Sequence, residues 1–329
     1  MVVLISIVAG IVPMLIYPLV LYWLDRYEKE PAGLLIAGFL WGFIPAALFS
    51  LITQFVLDLP LFLLDETGTL SNVVGASLLA PVTEEFFKGI AVWLIYLLWR
   101  NEFDGVFDGI IYGSLVGFGF AAIENVLYFI SFGADPALIV LRAFVFGLNH
   151  AFYTSLTGIG FGLARHTRSV VVRQLLPLLG LAAAISAHSL HNLASTFAGA
   201  YPALFLLAII ADYAGIFFVF IIILLSLRRE RQWIIEQLRE EVGRRTLSEA
   251  HYGMMSMPLG RMGAQLSALF SHGPAGYARV RRYFHVLTEL AYKKHARQRR
   301  GDEGAQAAQI DNLRAQAASL KAELIGVLS

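Results

Sequence analysis

The chain has 329 residues, 57% of them hydrophobic and 15% charged, with a formal net charge of +1. A mean hydropathy of +0.66 excludes an ordinary soluble domain and implies a polytopic membrane protein. There is no cysteine, which excludes disulfides, thiolate metal ligands and a cysteine nucleophile.

A helix needs about 20 apolar residues to cross the hydrocarbon. Seven segments meet that need: 2–24, 33–57, 73–99, 106–132, 137–164, 173–199 and 202–227. The first lacks a basic start and a small-residue cleavage site, so it reads as a retained span. Leu59 to Leu64 is too short to cross and is expected to lie at the interface. Arg26 and Lys29 follow span one, Arg100 follows span three, Arg165, Arg168 and Arg173 lie between spans five and six, and Arg228, Arg229 and Arg231 follow span seven. The alternate loops 58–72, 133–136 and 200–201 carry no lysine or arginine. The positive-inside rule therefore places the N-terminus outside a cell membrane and the C-terminus in the cytoplasm.

From Arg228 onward the balance changes to 17 Lys+Arg against 10 Asp+Glu, whereas residues 1–227 carry 8 against 14. Segments 228–243, 259–295 and 304–328 look helical, with Trp233, Ile234 and Leu238 at helical spacing. Basic amphipathic helices beside a bilayer ride on anionic lipid headgroups. No nucleic-acid motif accompanies the charge, so nucleic acid is not an expected partner. His166, His251, His272, His285 and His295 lie in polar segments and are expected to be solvated. The fold class is thus all-α: a polytopic transmembrane helix bundle of about seven spans, 1–227, with a basic helical cytoplasmic region, 228–329.

Glu84 and Glu85 interrupt the apolar third span, where an ionisable side chain costs about 2.5 to 3.5 kcal/mol unless a partner or polar cavity receives it. At a rise of about 1.5 Å per residue they lie about 18 Å from the outer end of that span. Glu124 lies about 12 Å from its own outer end, His150 about 18 Å, His188, His191 and Asn192 about 10 to 17 Å, and Asp212 about 15 Å. Five helices thus bring their most expensive side chains to one layer. His188, His191 and Asn192 share a helix face, and Glu84 is four residues from Lys88, a spacing that allows an ion pair. Glu85 is rotated about 100° from Glu84, so the two carboxylates have different surroundings. Asp212 reads as structural. Gly109, Gly113 and Gly117 on span four, with Gly158 and Gly162 on span five, give flat faces for close helix approach.

Three chemistries suit such a layer. Carboxylates and neutral imidazoles bind catalytic zinc, leaving a position open for water. The same groups work without metal, a glutamate serving as general base while histidine and Asn192 stabilise an oxyanion. They also serve as a proton relay in a transporter or channel, although no internal repeat between the halves supports that alternative. A scaffold whose tail recruits a partner is a further alternative. Signatures of other intramembrane proteases, HExxH, GxSG and GxGD, are absent.

Glu84-Glu85-Phe86-Phe87-Lys88 resembles the EExxK motif of the PrsW family of intramembrane proteases, and Phe120-Ala121-Ala122-Ile123-Glu124 resembles its FxxxE motif. His150 in Asn149-His150 and the run His188-Ser189-Leu190-His191-Asn192 resemble the later histidine motifs. The wider superfamily includes the CAAX prenyl endopeptidases, from which this chain departs with Glu124 in place of a histidine and Lys88 near an arginine position. The resemblance covers roughly residues 70 to 200. It implies a metalloprotease that cleaves a membrane-anchored protein, in known cases an anti-sigma factor. The expected catalytic set is Glu84 or Glu85, Glu124, His150, His188 and Asn192. The expected zinc ligands are Glu85, Glu124, His150 and His188, with His191 behind them and Asn192 orienting the substrate carbonyl.

Overall fold

The computed structural model describes residues 1–25, 29–65, 67–69, 71–100, 102–257, 259–300 and 305–324. Arg26 and residues 304 and 325–328 of the last tail segment, all used above, lie outside these. The described residues are helical and contain no strand. They form two units, the first Met1–Asp25 with Glu30–Leu224, the second from Leu225 onward.

In the first unit, α1 (Val2–Leu24) is apolar on every side, as a helix without a water-facing stripe should be. α2 (Ala32–Trp41), a π-helical turn Gly42–Ala46 and α3 (Ala47–Leu64) run on as one helix. Pro45 sits in that turn, where its missing N–H removes a backbone bond and favours the wider winding. Leu59–Leu64 therefore continues the second span and is not a separate interfacial piece. In lipid, ending the helix there would expose backbone groups that continued winding satisfies.

A second π segment, Ser71–Leu79, leads into α4 (Ala80–Leu98), and α5 (Val106–Ser131) follows. The expected continuous fifth span is broken: α6 (Pro136–Val140) and a third π segment, Leu141–Val145, are separated from α7 (Asn149–Arg165) by residues 146–148. The break is sustained by side chains that bond its freed carbonyls. Tyr17 donates to the Ala143 carbonyl at 3.0 Å and Tyr213 to that of Val145 at 2.9 Å. α8 (Val170–Thr196) starts at Ser169, whose hydroxyl accepts from the Val172 amide. α9 (Pro202–Gly243) continues without interruption through the segment expected to begin a separate tail helix at 228.

Among the described residues six helices are long and apolar enough to cross a membrane, which makes this a multi-pass membrane protein. The rod Ser71–Leu98 is also long enough, but it carries the buried charges Glu84, Glu85 and Lys88. α5 is buried along most of its length and packs against α1, α2, α4 and α7. Its approach to α7 depends on missing side chains. A Cβ on Gly113 would lie 2.6 Å from the Thr154 carbonyl oxygen, and one on Gly117 would overlap the His150 carbonyl. The small-residue stripe thus fixes the register that sets Glu124 beside His150.

The second unit has its own apolar core, built from Ile234, Leu238, Tyr283, Phe284, Leu287 and Leu290 among others. Besides the C-terminal part of α9 it contains α10 (Glu249–Ser256), α11 (Gly260–Arg300) and α12 (Ala305–Glu323). Inside α11 the left-handed Gly273, with φ 67°, precedes Pro274 and kinks the helix. His251 is buried and its Nδ1 lies 3.0 Å from the Tyr283 hydroxyl, so it is not solvated as its polar neighbours suggested. His295 stacks on Trp233. Glu241 is fully buried, with Lys294 Nζ at 2.7 Å and Arg314 Nη2 at 2.9 Å.

Hydrogen bonds from Lys294 and Arg244 hold the Glu240 carboxyl down to about 2. Burial pushes the Glu241 carboxyl up, but bonds from Arg314 and Lys294 outweigh burial and leave it below its ordinary value of 4.5. Both groups are depressed in the folded state, so their stabilisation is complete above the ordinary carboxylate value and is lost as pH falls. In detergent micelles the second unit should resist pepsin near pH 4.5, where the enzyme still cuts. It should lose that protection as pH falls towards 2. Unchanged protection at the lower pH would contradict the role given to this network.

Candidate active site

Four helices meet around a cavity of about 170 Å³ lined by Glu124, Arg142, His150, Tyr153, His188 and Asn192 among others. The polar side of α4 is buried beside it: Glu84 is 6% exposed, and Glu85 and Lys88 are 0% exposed. Lys88 Nζ lies 2.5 Å from Glu85 Oε1 and 3.7 Å from Glu84 Oε2, so its closer partner is three residues away, not the fourth-residue partner the sequence spacing suggested. It also lies 3.2 Å from His150 Nδ1 and 4.3 Å from the centre of the Phe120 ring. A fully buried ammonium needs such partners, because an unpaired ion in this medium costs several kcal/mol.

The two glutamates have separate fates. Glu85 Oε1 is shared between Lys88 and His188 Nδ1, the latter at 3.0 Å, and Glu85 Oε2 accepts from the Thr154 hydroxyl at 3.0 Å. Both of its oxygens are thus engaged. Glu84 Oε1 is 3.5 Å from Gln54 Nε2, while its buried Oε2 has no hydrogen-bond partner. That oxygen lies 3.9 Å from His188 Nε2.

Glu124 is clamped. Its Oε2 lies 2.8 Å from His150 Nε2 and 2.6 Å from Arg142 Nη2. Arg142 also donates to Asn125 Oδ1 at 3.1 Å and lies over the Tyr128 ring at 3.7 Å. Because Lys88 has no acceptor to offer, it donates to His150 Nδ1, and His150 Nε2 then donates to Glu124. Likewise the Nδ1–H of His188 is held by Glu85, which leaves Nε2 with its lone pair toward Glu84. His188 stacks on Tyr153, ring centres 4.8 Å apart.

The remaining polar groups form a brace behind this set. Asp212 on α9 lies 2.6 Å from His191 Nδ1 and accepts from Asn149 at 2.9 Å and the Tyr153 hydroxyl at 3.0 Å. Asn192 donates to the Ala76 carbonyl at 2.8 Å, tying α8 to the π segment that precedes α4.

The fold therefore brings together all seven residues expected from the sequence: Glu84, Glu85, Glu124, His150, His188, His191 and Asn192. Among the described residues, the cluster whose donor atoms lie within 4.8 Å of one another is Glu84, His150 and His188. Glu85 and Glu124, also expected as ligands, lie 3.0 Å from His188 Nδ1 and 2.8 Å from His150 Nε2. Gln54, Thr154, Tyr153 and Arg142 escaped the sequence reading. Arg142 carried the clearest signal, since an arginine six residues inside an apolar span is as costly as a glutamate.

Buried carboxylates and imidazoles around a small cavity within a helical membrane bundle define the class of polar sites embedded in membrane proteins. The match to known proteins gives the particular family. Residues 30–226 match the model described as PrsW family intramembrane metalloprotease, and the chain belongs to that family. It is 31% identical over 157 residues to a protein named Protease PrsW from Geobacillus kaustophilus, covering 48% of this chain and 65% of the relative. To that of Oceanobacillus iheyensis it is 32% identical over 176 residues, covering 52% and 77%. For the Bacillus subtilis protein the figures are 29% over 161 residues, 48% and 67%. The chain thus spans 65%, just under two thirds, of the first of these relatives. No solved structure matches it.

Lys88→Met should leave the buried Glu85 unpaired and destabilise the bundle by about 3 to 5 kcal/mol. Adding Glu85→Gln should recover most of that loss, because a neutral pair replaces an isolated charge. Thermal unfolding in detergent reads both. Additive losses would show that the pair is not the unit of stability.

Proposed function

We propose that the chain is an intramembrane endopeptidase hydrolysing a peptide bond of a membrane-anchored protein. The observation that carries this reading is the buried Glu84 Oε2, without a hydrogen-bond partner and 3.9 Å from His188 Nε2, Glu84 lining a cleft of about 500 Å³ that adjoins the cavity lined by His188. A water donating to Glu84 Oε2 attacks the scissile carbonyl carbon. Its proton passes to the carboxylate and then to the leaving amine nitrogen, so one water and one peptide bond become an acid and an amine. Glu85, through His188 Nδ1, keeps the His188 lone pair directed at this water. Arg142 and Asn192, which both line the cavity, would stabilise the developing oxyanion.

The donor set suits the metal implied by the family description. Glu84 and His188 each present a free donor atom, His150 the third, and each imidazole has a carboxylate on its other nitrogen, the usual support for a metal-binding histidine. These three residues would hold zinc, which when bound polarises water and carbonyl as a Lewis acid. Lys88 Nζ must then leave His150 Nδ1. The bundle 1–227 forms the protease domain and 228–329 a cytoplasmic region whose cations rest on anionic headgroups. The alternation of cationic loops supports an outside N-terminus. The family resemblance supports an anti-sigma factor as the kind of membrane-anchored substrate.

Glu84→Gln and His188→Ala should each lower cleavage of a co-reconstituted single-span substrate by about 10² to 10⁴-fold. Full proteolysis by both variants would remove the assignment. Elemental analysis of the purified protein should find about one zinc per chain, lost in His150→Ala. Activity that survives exhaustive chelation in metal-free protein would leave the glutamate mechanism and remove the zinc.

A further inference from the structure

A second and larger cavity, about 500 Å³, opens from the site along α3, the π segment Ser71–Leu79 and α5. Apolar side chains such as Leu51, Phe120, Ile123 and Phe132 line it alongside Ser50, Gln54, Asp58, Asn72, Glu84 and Asn192. Among the described residues lining it, three are acidic (Asp58, Glu84 and Glu124) and none is lysine or arginine. Glu124 is neutralised by Arg142 at 2.6 Å. Asp58 and Glu84 each keep a buried carboxylate oxygen without a hydrogen-bond partner, as does the Ser50 hydroxyl.

Asp58 reaches its place because Gly75 has no side chain. A Cβ on Gly75 would lie 2.7 Å from Asp58 Oδ1. The carboxylate is thus pressed against the π-helical wall of the cleft, one helical turn along α3 from Gln54, which contacts Glu84. By α3 that turn is about 6 Å, and the nine residues from Gly75 to Glu84 give about 13 Å. An extended chain advances about 3.3 Å per residue. Asp58 therefore stands two to four residues along a bound strand from the peptide bond at Glu84.

Resting on the protease reading above, the geometry points to this cleft as the seat of an unwound substrate segment, with Asp58 selecting a lysine or arginine side chain two to four residues from the scissile bond. The apolar wall accepts the methylene stem of such a side chain, and its donor head meets an acceptor that nothing in the protein occupies. An acidic residue at the same position would face two carboxylates across a cleft that no lysine or arginine lines, so the cleft both attracts one charge and rejects the other.

The test uses full-length enzyme co-reconstituted with single-span reporter peptides in which Lys, Gln or Glu is walked through six positions about the cleavage point, products being read by mass spectrometry. Wild-type enzyme should prefer Lys to Glu at one of these positions by at least about tenfold in kcat/KM, about 1.4 kcal/mol. The ratio does not depend on the amount of active enzyme. Asp58→Asn and Gly75→Ala should each bring it below about threefold, and Asp58→Lys should invert it. Equal cleavage of Lys and Glu peptides by the wild type, or a preference that Asp58→Lys leaves in place, overturns the assignment of Asp58 while the protease reading stands. Cleavage of no peptide by the wild type overturns both.

Discussion

The buried ammonium of Lys88 is the constraint on which the site depends. Three carboxylates, Glu84, Glu85 and Glu124, cluster within the bundle, and two cations, Lys88 and Arg142, are bonded to them. Lys88 spends its shortest contact on Glu85, and Arg142 is committed to Glu124. One negative charge is left, and it falls on Glu84, the group with an unpartnered oxygen. A carboxylate in that condition binds a proton or a cation strongly, which is what a base or metal ligand must do. The disposition of Glu84 is therefore a consequence of how its neighbours are neutralised.

Such a layer requires helices that approach closely and carbonyls that do not go unbonded. The glycines of α5 bring α7 near enough for Glu124 to meet His150, and no flexible linker between the two could hold that geometry. Each of the three π-helical segments sits where the site needs an irregular wall. Gly42–Ala46 packs its last residue against Phe120, Ser71–Leu79 supplies the Ala76 carbonyl to Asn192, and Leu141–Val145 carries Arg142. Non-helical backbone survives at membrane depth only where it is buried in protein or lines a cavity. Here it does both, lining the cavity and packing inside the bundle.

The bundle and most of its site were legible in the sequence because polar residues inside lipid are expensive and few. Glu84, Glu85, Glu124, His150, His188, His191 and Asn192 stood out against apolar neighbours, and their common depth followed from helical rise alone. What sequence could not give was orientation within the layer. Whether Lys88 turns to Glu84 or Glu85 is a difference of one rotamer, and both spacings lie within its reach. The broken fifth span was hidden because its freed carbonyls are capped by Tyr17 and Tyr213 from distant helices. In the second unit the burial of His251 depends on Tyr283, thirty-two residues away, which no local pattern reveals.

The rotation of about 100° between adjacent helix positions explains why the glutamates come as a pair. Glu85 points into the α7 and α8 side, where Thr154, His188 and Lys88 engage both its oxygens. Glu84 points toward α3 and the open cleft, where Gln54 alone holds one oxygen. A single glutamate cannot both orient an imidazole and remain free to take a proton from water, because the hydrogen bonds that fix it also lower its basicity. Placing the two tasks on neighbouring residues separates them by direction while leaving them in one electrostatic environment. Lys88, one turn along the same helix, pairs with Glu85 and stays 3.7 Å from Glu84. The motif of two glutamates and a lysine is on this account a single device: the helix itself distributes one cation unequally between two carboxylates.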